Sequence, residues 1–303
     1  MANQAHLDKL KEGVESWNMW RELNINIRPN LQHEDFSKAN LKKVNLKGAY
    51  LEETIFQGAD LKDADFEGAN LILTNLKRAN LIRANFKGAQ LVRTNFEGAV
   101  LDSANFGRAD VSGVIFKGAY LTGTNFEGAV LYSANLIRAD LRNANFEETK
   151  VTDIKYNRWS RYNGIRVSTC YGSPRFKRFA QDQDYLEEFR KSKWRFPIYL
   201  IWLVFADCGR SILLWTLWSL AIAIFFAYQY LNMGQEVFQV NNLPWGLNAM
   251  IYYSLVTFTT LGLGDITPKT IEATRWVMAE VIIGYIMLGG LISIFANKLS
   301  RRA

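Results

Sequence analysis

Between Phe36 and Val151 a Phe, Leu or Val stands at every fifth residue, at twenty-four successive positions without a break. Two residues ahead of each, from Ala39 to Thr149, only Ala, Val or Thr occurs. The residue between is often Asn or Asp, as in Ala79-Asn80-Leu81. A five-residue period fits neither the roughly 3.6 residues of a helical turn nor the two of a strand. It fits a chain that turns a corner every five residues and sends one large and one small apolar side chain per side to a common axis. Gly48, Gly58, Gly68, Gly88, Gly98, Gly118 and Gly128 recur at multiples of ten, as corners that need a permissive backbone would require. Residues 31–151 then make about six coils, and at a spacing of roughly 4.8 Å the rod is about 29 Å long. Ahead of it, Leu7, Leu10, Val14 and Trp17 fall at helical spacing. They predict one amphipathic helix over residues 4–21 that covers the open end of the first coil.

The second half has a different pattern. Residues 211–231 run for twenty-one residues without a charge, enough for a helix to span a bilayer. Residues 276–297 predict a second span, interrupted by Glu280. Trp215, Trp218, Tyr228, Tyr230 and Trp276 are placed to anchor these helices at membrane interfaces. Between the spans, residues 245–260 are too short for a third and lead into Thr260-Leu261-Gly262-Leu263-Gly264-Asp265. Gly262 and Gly264 are free to take positive φ, and alternation of hand along such a strand aims successive carbonyls at one axis. Carbonyls so aimed replace the water shell of a monovalent cation.

Residues 152–210 join the halves. They hold a predicted helix near Asp182–Lys193 and an apolar run, Phe196–Ala206, of eleven residues, too short to span. Lys191, Lys193 and Arg195 before the run and Arg210 after it make this an expected interfacial helix on anionic lipid headgroups.

Charge sharpens the division. The net charge of +7 is not spread evenly. Residues 31–150 carry fifteen basic and fifteen acidic groups, and residues 211–297 two and four. The excess sits in residues 151–210, with twelve basic against six acidic, and in three basic residues at the C-terminus. Basic segments flanking an uncharged stretch follow the positive-inside pattern and place both termini in the cytoplasm. A bacterial inner membrane is the expected location. Other chemistries are excluded by scarcity. The only cysteines, Cys170 and Cys208, and the only histidines, His6 and His33, build neither a zinc cluster nor a nucleophilic triad. No phosphate-binding glycine loop occurs, so an enzyme is not expected. The polar N-terminus has no secretory h-region, and no ligand-binding domain is expected after Arg302.

Two resemblances follow from these residues. The five-residue repeat resembles the pentapeptide-repeat family, which implies a four-sided, right-handed β-helix over 31–151. Some members of that family imitate DNA with strongly acidic rods and bind topoisomerases. The rod here is neutral, and no nucleic-acid partner is expected. Residues 211–300 resemble the two-helix potassium-channel pore. That likeness implies a pore helix over Trp245–Thr259 and a filter of Thr260, Leu261, Gly262, Leu263 and Gly264, with Asp265 at its outer end. K+ would be held by the carbonyls of Thr260, Leu261, Gly262 and Leu263, with no other cofactor, in a homotetramer. The family's usual Tyr is replaced by Leu263, which cannot bond to Tyr252 or Tyr253 of the pore helix. Gly284 resembles the family's gating hinge, although close helix packing also calls for a glycine there. Glu280 is an intramembrane carboxylate, either functional or bonded to the pore helix. No helix repeats arginine every third residue, so no voltage sensor is expected.

The expected organisation is a capping segment (1–30), an N-terminal β-helix (31–151), a linker with the interfacial helix (152–210) and an all-α two-span pore-loop domain (211–303). The expected function is a tetrameric potassium-type cation channel with cytoplasmic rods serving as scaffold or gating module. A weakly selective cation channel and a membrane-tethered binding scaffold with a vestigial pore remain as alternatives.

Overall fold

A computed structural model describes residues 2–206, 211–241, 243–259 and 261–300, and divides the chain into two compact units, 1–189 and 190–303. The first unit is a β-helix. Parallel bridges join residues twenty apart along four faces, as in Asn30 with Tyr50, Asp35 with Ile55, Asn40 with Asp60 and Asn45 with Asp65. The bridges lengthen into short strands only at Val130–Tyr132 (β1) and Lys150–Thr152 (β2).

Hydrogen bonds between coils recur with the repeat, which is why the sequence repeats as it does. The Leu41 and Lys43 N–H groups donate to Asp60 O and Lys62 O of the next coil, while Asp60 N–H donates back to Ala39 O. The N–H two residues after most of the recurring Asn or Asp residues goes to that side chain: Lys47 N–H donates to Asn45 Oδ1 and Gly107 N–H to Asn105 Oδ1. The small position holds Ala for want of space. Where it holds Thr, the hydroxyl is used: Thr74 Oγ1 donates to Leu51 O at 2.7 Å. Inside the rod Phe66, Phe86, Phe106 and Phe126 stack with centroids 4.8 to 5.0 Å apart, the strand spacing itself.

The corners extend the glycine reading. Positive φ occurs at every fifth residue, so glycine marks only some of the corners. Leu73, Arg78, Arg93 and Asn143 adopt it with φ between 56° and 59°. The inter-coil hydrogen bonds hold these residues in a conformation that costs L-residues about 1–2 kcal/mol each.

Both ends of the rod depart from expectation. The front is covered by two helices, Gln4–Lys11 (α1) and Val14–Leu23 (α2), because Gly13 breaks the expected single helix at φ 115°. Leu7, Leu10 and Trp17 are buried against the first coil as expected. At the back the bridges do not stop at Val151. They run on to Tyr171, one further coil, with a shift from twenty to twenty-one between Asn135 with Lys155 and Asp140 with Arg161. The linker expected from residue 152 therefore begins as β-helix. The helix expected near Asp182–Lys193 is Pro174–Lys191 (α3), and it buries Phe176 and Ala180 against this last coil.

The second unit is helical. Phe196–Ala206 (α4) precedes two helices long and apolar enough to cross a membrane: Ile212–Met233 (α5) and Ile271–Ser300 (α7), the latter over Ile271–Ala296. Between them lie Phe238–Val240 (β3), Leu247–Phe258 (α6) and Ile266–Pro268 (β4), with β3 and β4 antiparallel. The second span begins five residues before its expected start and runs unbroken through Glu280. The reentrant helix is shorter than expected, leaving Trp245 outside it. Its core joins Phe226, Tyr230, Phe238, Met250 and Tyr253.

Candidate functional site

The strand that follows α6 is gripped at both ends. At its start Leu261 N–H donates to Val256 O in the last turn of α6. At its end the Asp265 carbonyl accepts from Asn241 N–H, and β4 pairs with β3 immediately afterwards. Between the grips Gly262 has φ 49° and Gly264 φ 75°, while Leu261 and Leu263 are not left-handed. This is the alternation of hand that the glycine spacing predicts. A Cβ at Gly262 or Gly264 would meet no neighbouring atom within 4 Å, so glycine is required there by backbone conformation and not by crowding. Thr260 lies outside the described residues. Leu261 and Leu263 expose 68% and 59% of their surface on the single chain, which leaves this strand's apolar side chains without a cover. A cleft of about 400 Å³ lies beside it, lined by Tyr252, Thr257, Asp265 and Tyr285 among others.

Leu263 makes no bond to the aromatic pair of α6, but the strand is tied there by a neighbour. The Tyr252 hydroxyl donates to Asp265 Oδ2 at 2.6 Å. Tyr253 faces the other way, its ring 5.4 Å from Tyr230 and 5.7 Å from Phe238. Sequence reading pairs both tyrosines with position 263 and so misses the brace through Asp265. The signal was present: a tyrosine thirteen residues before an acidic residue at the strand's end.

Glu280 is fully buried where α5, α6 and α7 meet. Its partners are the hydroxyls of Tyr230 and Ser254. Tyr230, expected as an interfacial anchor, is an internal donor with no exposed surface. Trp215, also expected at an interface, turns inward, and its Nε1–H donates to Met287 O at 2.6 Å. The Trp215 ring occupies the space a Cβ on Gly290 would need. Gly284 is likewise placed by close approach, because a Cβ there would overlap the Phe258 carbonyl. The helix α7 is continuous at that point.

Of the basic residues before the apolar run, Lys191 ends α3, and Lys193 and Arg195 lie between α3 and α4; Arg210 lies outside the described residues. The α4 helix is apolar on all its faces, with Phe196, Ile198, Leu200, Ile201 and Val204 exposed on the single chain. It lacks the polar face that an interfacial helix carries. Cys170 is buried in the last coil, where burial pushes its thiol up and makes it a poor nucleophile. Cys208 lies outside the described residues.

Comparison with known families matches both units. The family described as pentapeptide repeats matches in eight copies over residues 28–58, 59–98, 79–118 and 116–148. The family described as ion channel matches residues 212–301. The chain carries pentapeptide repeats folded as a β-helix, followed by an ion channel domain with two helices long and apolar enough to cross a membrane. Neither is a family of enzymes. Three solved structures illustrate what the first unit is similar to. A trypsin-treated form of QnrB1, a plasmid-mediated fluoroquinolone resistance protein, shares 19% identity over 48% of this chain and 78% of its own, with a TM-score of 0.27. HetL, from the cyanobacterium Nostoc, shares 20% over 51% of this chain and 95% of its own, at 0.16. Rfr23, from the cyanobacterium Cyanothece, shares 23% over 47% and 97%, at 0.18. No curated protein matches the chain.

Proposed function

We propose that four copies of this chain form a potassium-type cation channel in a bacterial inner membrane, with both termini and the β-helices in the cytoplasm. The observation that carries this reading is the left-handed backbone at Gly262 and Gly264, in a strand that follows a short helix between two spans. One strand supplies one side of a pore, so four are needed to surround a bare cation with carbonyls. The exposed Leu261 and Leu263 and the cleft beside them suit contact with neighbouring copies. Basic residues beside the spans favour the cytoplasmic side.

A second reading, a channel that passes sodium nearly as well as potassium, is favoured by Leu263. Without a hydroxyl at that position, the side-chain brace from α6 to the strand runs through Tyr252 and Asp265. Reconstituted protein under potassium and sodium gradients separates the two readings through the reversal potential. In the same assay Gly262→Ala abolishes flux, because a Cβ disfavours the left-handed conformation by roughly 1–2 kcal/mol at each of four strands. Unchanged flux in an assembled Gly262→Ala tetramer would overturn the assignment of the filter.

A further inference from the structure

The hydroxyl and carboxyl groups around Glu280 form a chain whose protons can be counted. Tyr230 donates to Glu280 Oε2 at 2.5 Å. Glu280 Oε1 is in hydrogen-bond contact with Ser254 Oγ. The same Ser254 Oγ lies 2.7 Å from the carbonyl oxygen of Ala223. A serine hydroxyl owns one proton and a carbonyl oxygen none. Two oxygens 2.7 Å apart need a proton between them, so the Ser254 proton points to Ala223 O. Ser254 Oγ is then an acceptor, and the proton between it and Glu280 belongs to Oε1. The groups that face Glu280 do not offer a compensating charge. From α5 comes Tyr230, from α6 Ser254 with Tyr253 beside it, and from β3 Phe238, which packs on Tyr230 and Tyr253. On α7 itself the nearest charged residues in the chain are Arg275 and Glu272, five and eight residues earlier.

We propose that Glu280 is a neutral carboxylic acid that acts as a positioning residue, holding α6 against both spans through the ordered chain Tyr230 to Glu280 to Ser254 to Ala223 O. Removing its proton turns the Ser254 hydroxyl away from Ala223 O and loosens α6. The consequence reaches the Leu261–Asp265 strand, because α6 supplies both Val256 O, which holds Leu261, and Tyr252, which holds Asp265. One turn beyond Glu280, Gly284 rests against the carbonyl of Phe258, the last residue of α6. Movement of α7 and the shape of the strand are thereby linked. This inference rests on the channel reading only for its functional consequence; the proton itself is independent of it.

The test uses the full-length protein in lipid vesicles, as wild type, Glu280→Gln and Glu280→Ala. Infrared difference spectra of wild type against Glu280→Gln at neutral pH are expected to show the carbonyl stretch of one protonated carboxylic acid. Glutamine keeps the chain, since its Nε2 donates to Ser254 and its Oε1 accepts from Tyr230. Its potassium flux and selectivity should stay within about twofold of wild type, whereas Glu280→Ala should lose at least about fivefold. On alkaline titration wild-type flux should fall and Glu280→Gln should stay flat. Tyr230 is present in both, so its own titration cannot produce that difference. Absence of the protonated band, or a Glu280→Gln variant as impaired as Glu280→Ala, overturns the proposal. If Glu280→Ala does not assemble, the spectrum and the pH profile of Glu280→Gln still decide. Absence of wild-type flux would sink the channel reading, and the infrared band would still answer for Glu280.

Discussion

Phe86 lies between Phe66 and Phe106 at 4.8 Å on either side and meets the edge of Phe96 at 5.6 Å. Removing its ring leaves a void that rigid neighbouring coils cannot close. Phe86→Ala should therefore cost about 3–5 kcal/mol, and exposed Arg93→Ala under roughly 0.5 kcal/mol. Urea unfolding of residues 1–189 checks this, and similar losses at the two sites would refute the inward register. At this scale the rod was legible, because a position's phase in five decides whether it is buried. Glycine overstated its own part: Leu73 and Arg78 take the same left-handed corner, imposed by the bonds between coils and not by residue type. Glu280 was legible as a buried acid, but Tyr230 and Ser254 stand 50 and 26 residues away in the chain. Only the packing of three helices brings them together, and no spacing rule encodes it.

The ends of the rod are elements with a task, since an open coil presents unpaired N–H and C=O groups. The front is closed by side chains that replace a missing coil. Trp17 Nε1–H donates to Asn45 O, and Asn18 both donates to Lys43 O and accepts from Asn45 N–H. Arg21 donates to Ile27 O and Lys47 O. At the back, helix α3 brings carboxylates to the last coil: Glu187 accepts from the N–H groups of Tyr162 and Asn163, and Asp184 from that of Gly164. That last coil escaped the sequence pattern because one extra residue between Lys155 and Arg161 shifts the count of five. Tyr156, Tyr162 and Val167 then stand in for Phe and Leu, and Ser160 Oγ donates to Leu136 O as the threonines do in earlier coils. The front cap also carries a pH dependence. His6 Nδ1 accepts from Asn30 N–H, which only the neutral ring can do. Burial, with a smaller push from the Arg21 charge, holds the ring below the ordinary histidine range. The unfolded chain takes up the proton first as pH falls, so this contribution is complete above about pH 6.5 and is lost below it. The unfolding midpoint of residues 1–189 should decline between about pH 7 and 5 more steeply than in His6→Phe, which cannot titrate there. Parallel declines would remove His6 from the cap.

At the scale of the molecule, the groups on which the proposed pore rests are confined to one unit. The Gly262 and Gly264 strand, its brace from Tyr252 to Asp265 and the Glu280 chain all lie within residues 190–303. The β-helix likewise holds its core and both caps within residues 1–189. The boundary matters for where to cut. A deletion ending at residue 150, the edge that the repeat count suggests, leaves Tyr162, Phe176 and the rest of the last coil without the coil they cover. A deletion ending at residue 189 leaves no such orphan. We expect the chain that starts at Arg190 to assemble in a bilayer and to keep the reversal potential of the full-length protein, because selectivity depends on carbonyl geometry in the retained strand. Open probability is a separate quantity. It responds to whatever biases α4 and the spans, and α3 joins the β-helix to α4 through only the few residues between Lys191 and Phe196. Removal of the rods is therefore expected to change open probability while leaving selectivity alone. Single-channel recordings of the two proteins in the same lipid measure both. A shifted reversal potential in the shorter chain would mean that the rods help to shape the filter, and an unchanged open probability would reduce them to a passive scaffold.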